Sequence, residues 1–165
     1  MQETIDLASD VIDQEAAGSV ADWPAYTQGD DDERLDFFIE RDGHRYAGTH
    51  LIIDLRGASR LDDLEVMEKA LRDSIKAAKA TLLHIHLHHF TPNGGISGVA
   101  VLAESHISVH TWPERNFAAF DVFMCGESEP AKAVPVLETA FAPSEVNVQE
   151  ILRGKVSIDD DDYLS

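Results

Sequence analysis

Three side chains able to do covalent or proton-transfer chemistry lie close together in this chain: Ser105, His110 and Cys125. They sit in one stretch that opens with Gly95-Ile96-Ser97-Gly98. It continues as Ala103-Glu104-Ser105-His106-Ile107-Ser108-Val109-His110-Thr111-Trp112-Pro113-Glu114 and closes with Phe123-Met124-Cys125-Gly126. A serine or cysteine becomes an effective nucleophile only when a neighbour activates it, and His110 is a candidate base near neutral pH. Which of the two would attack stays open, because such a pair is a matter of geometry. Glu104-Ser105-His106 lacks the flanking glycines of a nucleophile elbow.

A second cluster is His84-Ile85-His86-Leu87-His88-His89. On a strand, His84, His86 and His88 share one face, about 6.8 Å apart in sequence. Neighbouring pairs could chelate a metal, but a polar outer sheet face is the favoured reading, and no metal site is assigned. Leu83, Ile85 and Leu87 would occupy the opposite face and pack on a helix. The lone Cys125 provides no cysteine-based zinc framework.

The elements that must position these groups follow from periodicity. Residues 49–55 form a short apolar run closed by Arg56-Gly57, which reads as a buried strand. Asp62 or Asp63 caps a helix whose apolar stripe is Leu64, Met67, Leu71, Ile75 and Ala78. Strands follow at 81–90, 96–103, 106–111 and 118–124, with a turn at Thr91-Pro92-Asn93-Gly94-Gly95. A second helix is expected near 129–141, starting late or kinked because Pro135 falls inside it. A strand at 145–152 ends the series. The order β-α-β-β then β-β-α-β predicts an α+β fold: a two-layer α/β sandwich of two similar halves with a mostly antiparallel sheet. One sheet face is left without helices, which is a natural surface for a second copy.

The 165 residues carry a net charge of −18, unevenly spread. Residues 1–40 contribute −11, residues 156–165 contribute −4, and the rest only −3. This suggests an acidic N-terminal extension (1–46), a balanced domain (47–155) and an acidic tail (156–165), with both ends poorly ordered. The acidity argues against nucleic acid and anionic membrane surfaces as partners. Met1 to Asp6 lacks the basic and apolar regions of a signal peptide. One cysteine cannot form an internal disulfide, so the cytoplasm is the expected compartment.

The segment from Ala103 to Glu114 resembles the self-cleavage segment of the prokaryotic S-adenosylmethionine decarboxylase proenzymes. Gly95-Ile96-Ser97-Gly98 and Phe123-Met124-Cys125-Gly126 resemble flanking motifs of that family in order and spacing, and the likeness spans about residues 48–154. The resemblance implies cleavage between Glu104 and Ser105, with Ser105 becoming a covalent pyruvoyl group. It implies that Ser97 and His110 serve processing, and that Cys125 is the proton donor in turnover. Phe90 would stack on adenine and Glu114 would hold the ribose hydroxyls. The pyruvoyl group would form a Schiff base with S-adenosylmethionine and release carbon dioxide, supplying spermidine biosynthesis. The resemblance also implies a homodimer of processed protomers, sheets facing each other in an αββα arrangement with shared active sites. Alternatives are the same chemistry on ornithine or arginine, and an unprocessed regulatory homologue.

Overall fold

The computed structural model describes residues 38–156. The acidic stretches expected to be poorly ordered fall almost wholly outside these residues. Nine elements follow one another: β1 (Ile39–Arg41), β2 (His44–Arg56), α1 (Leu64–Ala77), β3 (Leu82–His89), β4 (Ile96–Leu102), β5 (Ser105–Trp112), β6 (Phe117–Met124), α2 (Ala133–Phe141) and β7 (Glu145–Val156). Short 3-10 turns occupy Pro113–Arg115 and Pro130–Lys132. All described pairings are antiparallel, in the order β1-β2-β6-β5-β4-β3, with β7 also on β2. The α+β sandwich of two similar halves is therefore what forms, on a single sheet. That sheet starts at Ile39, inside the stretch the charge pattern assigns to the extension.

Strand alternation decides which side chains enter the core. Leu51, Ile53 and Leu55 of β2, Ile107 and Val109 of β5, and Phe120 and Val122 of β6 point to one face and are buried. Met67, Leu71 and Ile75 of α1 and Leu137 and Phe141 of α2 close over them. Each such side chain contributes about 1.5–3 kcal/mol by leaving water. Asp63 caps α1 by accepting the Val66 N–H at 3.1 Å. Leu64 at its start is exposed instead of joining the stripe, and Ala70 and Ser74 fill the buried face.

Pro135 goes with a late start of the helix. The chain passes through the 3-10 turn first, so Pro135 is the third residue of α2. First-turn N–H groups have no partner inside a helix, so a missing one costs little. In β3 the register shifts between Leu82 and His84. This bulge at Leu83 makes Leu82, with Ile85 and Leu87, pack on the core in place of Leu83.

The opposite sheet face carries no helix. By register it presents His84, His86 and His88 of β3, Ser97, Val99 and Val101 of β4, and His106, Ser108, His110 and Trp112 of β5. Beyond these lie Phe117, Asp121 and Phe123 of β6, His50 and Ile52 of β2, and Ile151 and Arg153 of β7. No described helix is long and apolar enough to cross a membrane.

Candidate active site

The Glu104–Ser105 bond lies in a tight hairpin. β4 ends at Leu102, β5 begins at Ser105, and the two are register partners, so Ala103 and Glu104 alone make the turn. Glu104 has φ of +57°. For a residue with a Cβ this left-handed conformation costs about 1–2 kcal/mol, held here by the strands on either side. Strain thus sits on the residue whose carbonyl precedes Ser105.

Ser105 points to the core side and is 8% exposed. Cys125 follows β6 directly, so the strand neighbour of β5 delivers it to the hairpin end. Its backbone N–H donates to Ser105 Oγ at 3.4 Å. Its thiol donates to the Glu104 carbonyl oxygen at 3.2 Å and lies 3.8 Å from Ser105 Oγ. One residue therefore contacts both the hydroxyl that would attack and the oxygen on which negative charge would gather. Such a donor is most useful when it already sits where charge develops.

Burial pushes the Cys125 thiol above its ordinary pKa; the Ser105 hydrogen bond partly offsets this, and the Glu104 carboxylate adds to it. The thiol is thus kept as an S–H, a donor and not a thiolate nucleophile. Partial burial likewise raises the Glu104 carboxyl. A cavity of about 610 Å³ opens beside these groups, lined by Ala47, Glu104, Ser105, His106, Phe123 and Arg153, among others. Burial lowers the His106 pKa, with His50 and Arg153 adding to the effect and Asp121 opposing it.

The remaining expected residues assemble elsewhere. Ser97 and His110 are register partners on β4 and β5, and Ser97 Oγ lies 2.8 Å from His110 Nδ1. Beside Ser97, Gly98 lets β3 lie close to β4. A Cβ there would lie 2.4 Å from Leu87 Cδ2 and 2.5 Å from the His86 carbonyl oxygen, so only glycine lets β3 approach β4. Phe90, Ser97, His110, Trp112 and Glu114 line a cavity of about 200 Å³. Phe90 is 47% exposed and meets His88 edge-on at 4.4 Å. Trp112 stacks on Phe117 at 5.3 Å. Buried Thr111 ties this end down, accepting the Ile96 N–H and donating to the Leu61 carbonyl, both at 2.8 Å.

Two half-sites result. Glu104, Ser105 and Cys125 meet at one end of β5, and Phe90, Ser97, His110 and Glu114 at the other. Five residues of strand separate Ser105 from His110, about 17 Å at the usual rise. Their side chains also leave opposite sheet faces, since an odd offset reverses direction. Within one chain, His110 does not reach Ser105. Between the half-sites, on the helix-free face, Asp121 accepts from Ser108 Oγ at 3.2 Å and lies 3.2 Å from His50 Nε2.

The motifs assign no role to His106, Trp112 or Arg153. Alternation along β5 was a usable signal for His106 and Trp112, which fall on the same face as His110. Arg153 had none, because only the pairing of β7 with β2 brings it to Ser105. Among the described residues, no group of three His, Cys, Asp or Glu side chains is placed to hold a metal ion.

A family model described as S-adenosylmethionine decarboxylase matches residues 49–154. The chain is 44% identical over 110 residues to an S-adenosylmethionine decarboxylase proenzyme of Thermomicrobium roseum, covering 66% of this chain and 95% of that one. It is 47% identical over 116 residues to a protein of the same name from Methanococcus vannielii, covering 68% and 94%. Its fold is similar to the crystal structure of the adenosylmethionine decarboxylase from Aquifex aeolicus VF5. The TM-score is 0.61 at 35% identity, covering 68% of this chain and 94% of that one.

Proposed function

The chain belongs to the S-adenosylmethionine decarboxylase family, and from this premise we propose that it decarboxylates S-adenosylmethionine through a pyruvoyl group cut from its own backbone at Ser105. The observation that carries this reading is the contact set of Cys125, which reaches the Glu104 carbonyl oxygen at 3.2 Å and, through its N–H, Ser105 Oγ at 3.4 Å.

Processing begins when Ser105 Oγ bonds to the Glu104 carbonyl carbon. The Cys125 S–H steadies the charge on that oxygen. The C–N bond then breaks, the nitrogen keeps its proton and gains another, and an ester replaces the amide. Loss of the Ser105 Cα proton to a base breaks the Cβ–Oγ bond and frees Glu104 as a carboxylate. Hydrolysis of the dehydroalanine left behind releases ammonia. The residues fit this product: a serine at a strained turn, a carbonyl with a donor in place, and a cavity beside them.

The base is the His110 of a second copy. Both cavities border the helix-free face, and 17 Å of strand separates the half-sites within one chain. A homodimer pairing these faces would set Ser97 and His110 of one protomer against the hairpin end of its partner, where the cavity beside Ser105 opens. Ser97, 2.8 Å from His110 Nδ1, orients the ring. Phe90 supplies an aromatic surface for adenine and Glu114 a carboxylate for the ribose hydroxyls.

When formed, the pyruvoyl group supplies a carbonyl that binds the substrate amine and takes up the electrons of the departing carboxylate. Cys125 then returns a proton to the substrate carbon. Because burial raises its pKa, the thiol stays protonated to higher pH than an ordinary cysteine. Turnover should therefore persist to a higher pH than the ionisation of an ordinary cysteine would allow. An alkaline limb centred well below the pKa of an ordinary cysteine would remove Cys125 from this role.

Intact-mass measurement tests the whole reading. Purified protein should give chains of 104 and 61 residues, the shorter one lighter by one ammonia than its sequence. Carbon dioxide should come from S-adenosylmethionine and not from ornithine or arginine. A single 165-residue chain after long incubation would end the proposal.

A further inference from the structure

The wall beside Ser105 is hollowed by missing side chains, and one cation stands over the hollow. Arg153 of β7 pairs in register with Gly48 of β2. A Cβ on Gly48 would lie 2.6 Å from the Met124 carbonyl oxygen and 2.8 Å from the Phe123 ring, so nothing can stand opposite Arg153. Gly154 follows with φ of +65°, and a Cβ there would lie 2.5 Å from the Ala47 Cβ. With nothing beside it, the guanidinium lies over the Phe123 ring, 5.9 Å from its centre.

Arg41, Arg45, Arg56 and Arg72 each face a carboxylate. Arg153 faces none among the described residues. It is the one permanent cation of a cavity otherwise lined by Ala47, Leu102, Glu104, Ser105, His106, Phe123 and Gly154.

Cleavage changes the charge of this cavity. Before it, Cys125 donates to a neutral carbonyl, 3.2 Å away, and its sulfur lies 4.0 Å from Glu104 Oε2. After it, that carbonyl belongs to a chain-terminal carboxylate, and Glu104 carries two negative charges. A carboxylate left against the thiol would hold its proton and raise its pKa further. The residue that must protonate substrate would then be tied to the product of its own maturation.

We propose that Arg153 receives the carboxylate that cleavage creates at Glu104, and so draws the new chain end away from Cys125. This rests on the self-processing reading above. Arg153 acts here as a positioning residue for the thiol. The competing use, holding the substrate carboxylate, is chemically poor. Pairing that group with a cation stabilises the bound anion more than a transition state in which its charge moves away, and so slows the reaction.

The test compares full-length wild type, Arg153→Gln and Arg153→Lys. All three should cleave to the two fragments, read by intact mass. Arg153→Gln should lower kcat about tenfold with an unchanged KM, and raise the midpoint of Cys125 alkylation by about one pH unit. Arg153→Lys, which keeps the charge, should recover most of both. An unchanged kcat and alkylation midpoint in Arg153→Gln would overturn the proposal. So would a raised KM for substrate with unaltered affinity for the decarboxylated product, which would assign Arg153 to the substrate carboxylate. Loss of cleavage in a folded Arg153→Gln would place its role before the break and also overturn it. If wild type itself stays intact, the self-processing reading fails first, and the two failures are distinguishable.

Discussion

Replacing Ser105 by alanine should leave one 165-residue chain and no decarboxylation. The hydroxyl is the only group on this residue that can attack the Glu104 carbonyl, and its oxygen becomes part of the leaving carboxylate. Without it there is no ester, no elimination and no ketone. The loss of carbon dioxide release should exceed about 10⁴-fold, as for removal of other covalent nucleophiles. The fold should tolerate the change. Ser105 Oγ gives up long contacts to Cys125, at 3.4 and 3.8 Å, so the stability cost should stay near or below about 1 kcal/mol. Thermal melting and intact mass together check this. A cleaved Ser105→Ala chain, or one that retains turnover, would show that another bond or another residue carries the chemistry.

The second large effect is complementation between two inactive chains. Ser105→Ala lacks the attacking group, and His110→Ala lacks the base. If each site takes Ser105 from one protomer and His110 from the other, a mixed dimer contains one site with both groups intact. Random pairing on co-expression makes about half the dimers mixed, each with one of two sites restored, or about a quarter of wild-type sites. Cleavage should be confined to the His110→Ala chain, which retains Ser105 and Cys125. Intact mass identifies that chain directly. If neither chain cleaves in the mixture, while each variant alone is folded, His110 does not act across an interface.

The two half-sites also explain which parts of the chemistry were visible in the residue order. Glu104, Ser105 and Cys125 belong to contiguous motifs, and the hairpin that joins β4 to β5 is signalled by two strands with almost nothing between them. Local chain geometry does the work there. The alignment of Ser97 with His110 was not visible, because thirteen residues separate them and register sets their contact. Arg153 was invisible for the same reason. A strand pairing between distant segments brings it to the hairpin, and no local pattern encodes that.

Small departures follow similar physics. The Leu83 bulge exchanges one leucine for its neighbour on the buried face, since a single added residue reverses the alternation. Pro135 reads as a late start or a kink in a helix counted from residue 129, and it costs little once a 3-10 turn moves the start to Ala133. β1 was missed because three residues give too short a period to read.

The sequence by itself determined the α+β class, the order of strands and helices from β2 onward, the family and the bond expected to break. These depend on periodicity and on contiguous residues, which survive without coordinates. The net charge of −18 added little, because most of it lies in the two ends. Only the tertiary structure decided that the thiol of Cys125 meets the Glu104 carbonyl and that Arg153 overhangs the same cavity. It also separated His110 from Ser105 by the length of a strand. Those relations arise from hydrogen-bond register between segments far apart in the chain. A one-residue slip in any pairing would send the side chains to the other face.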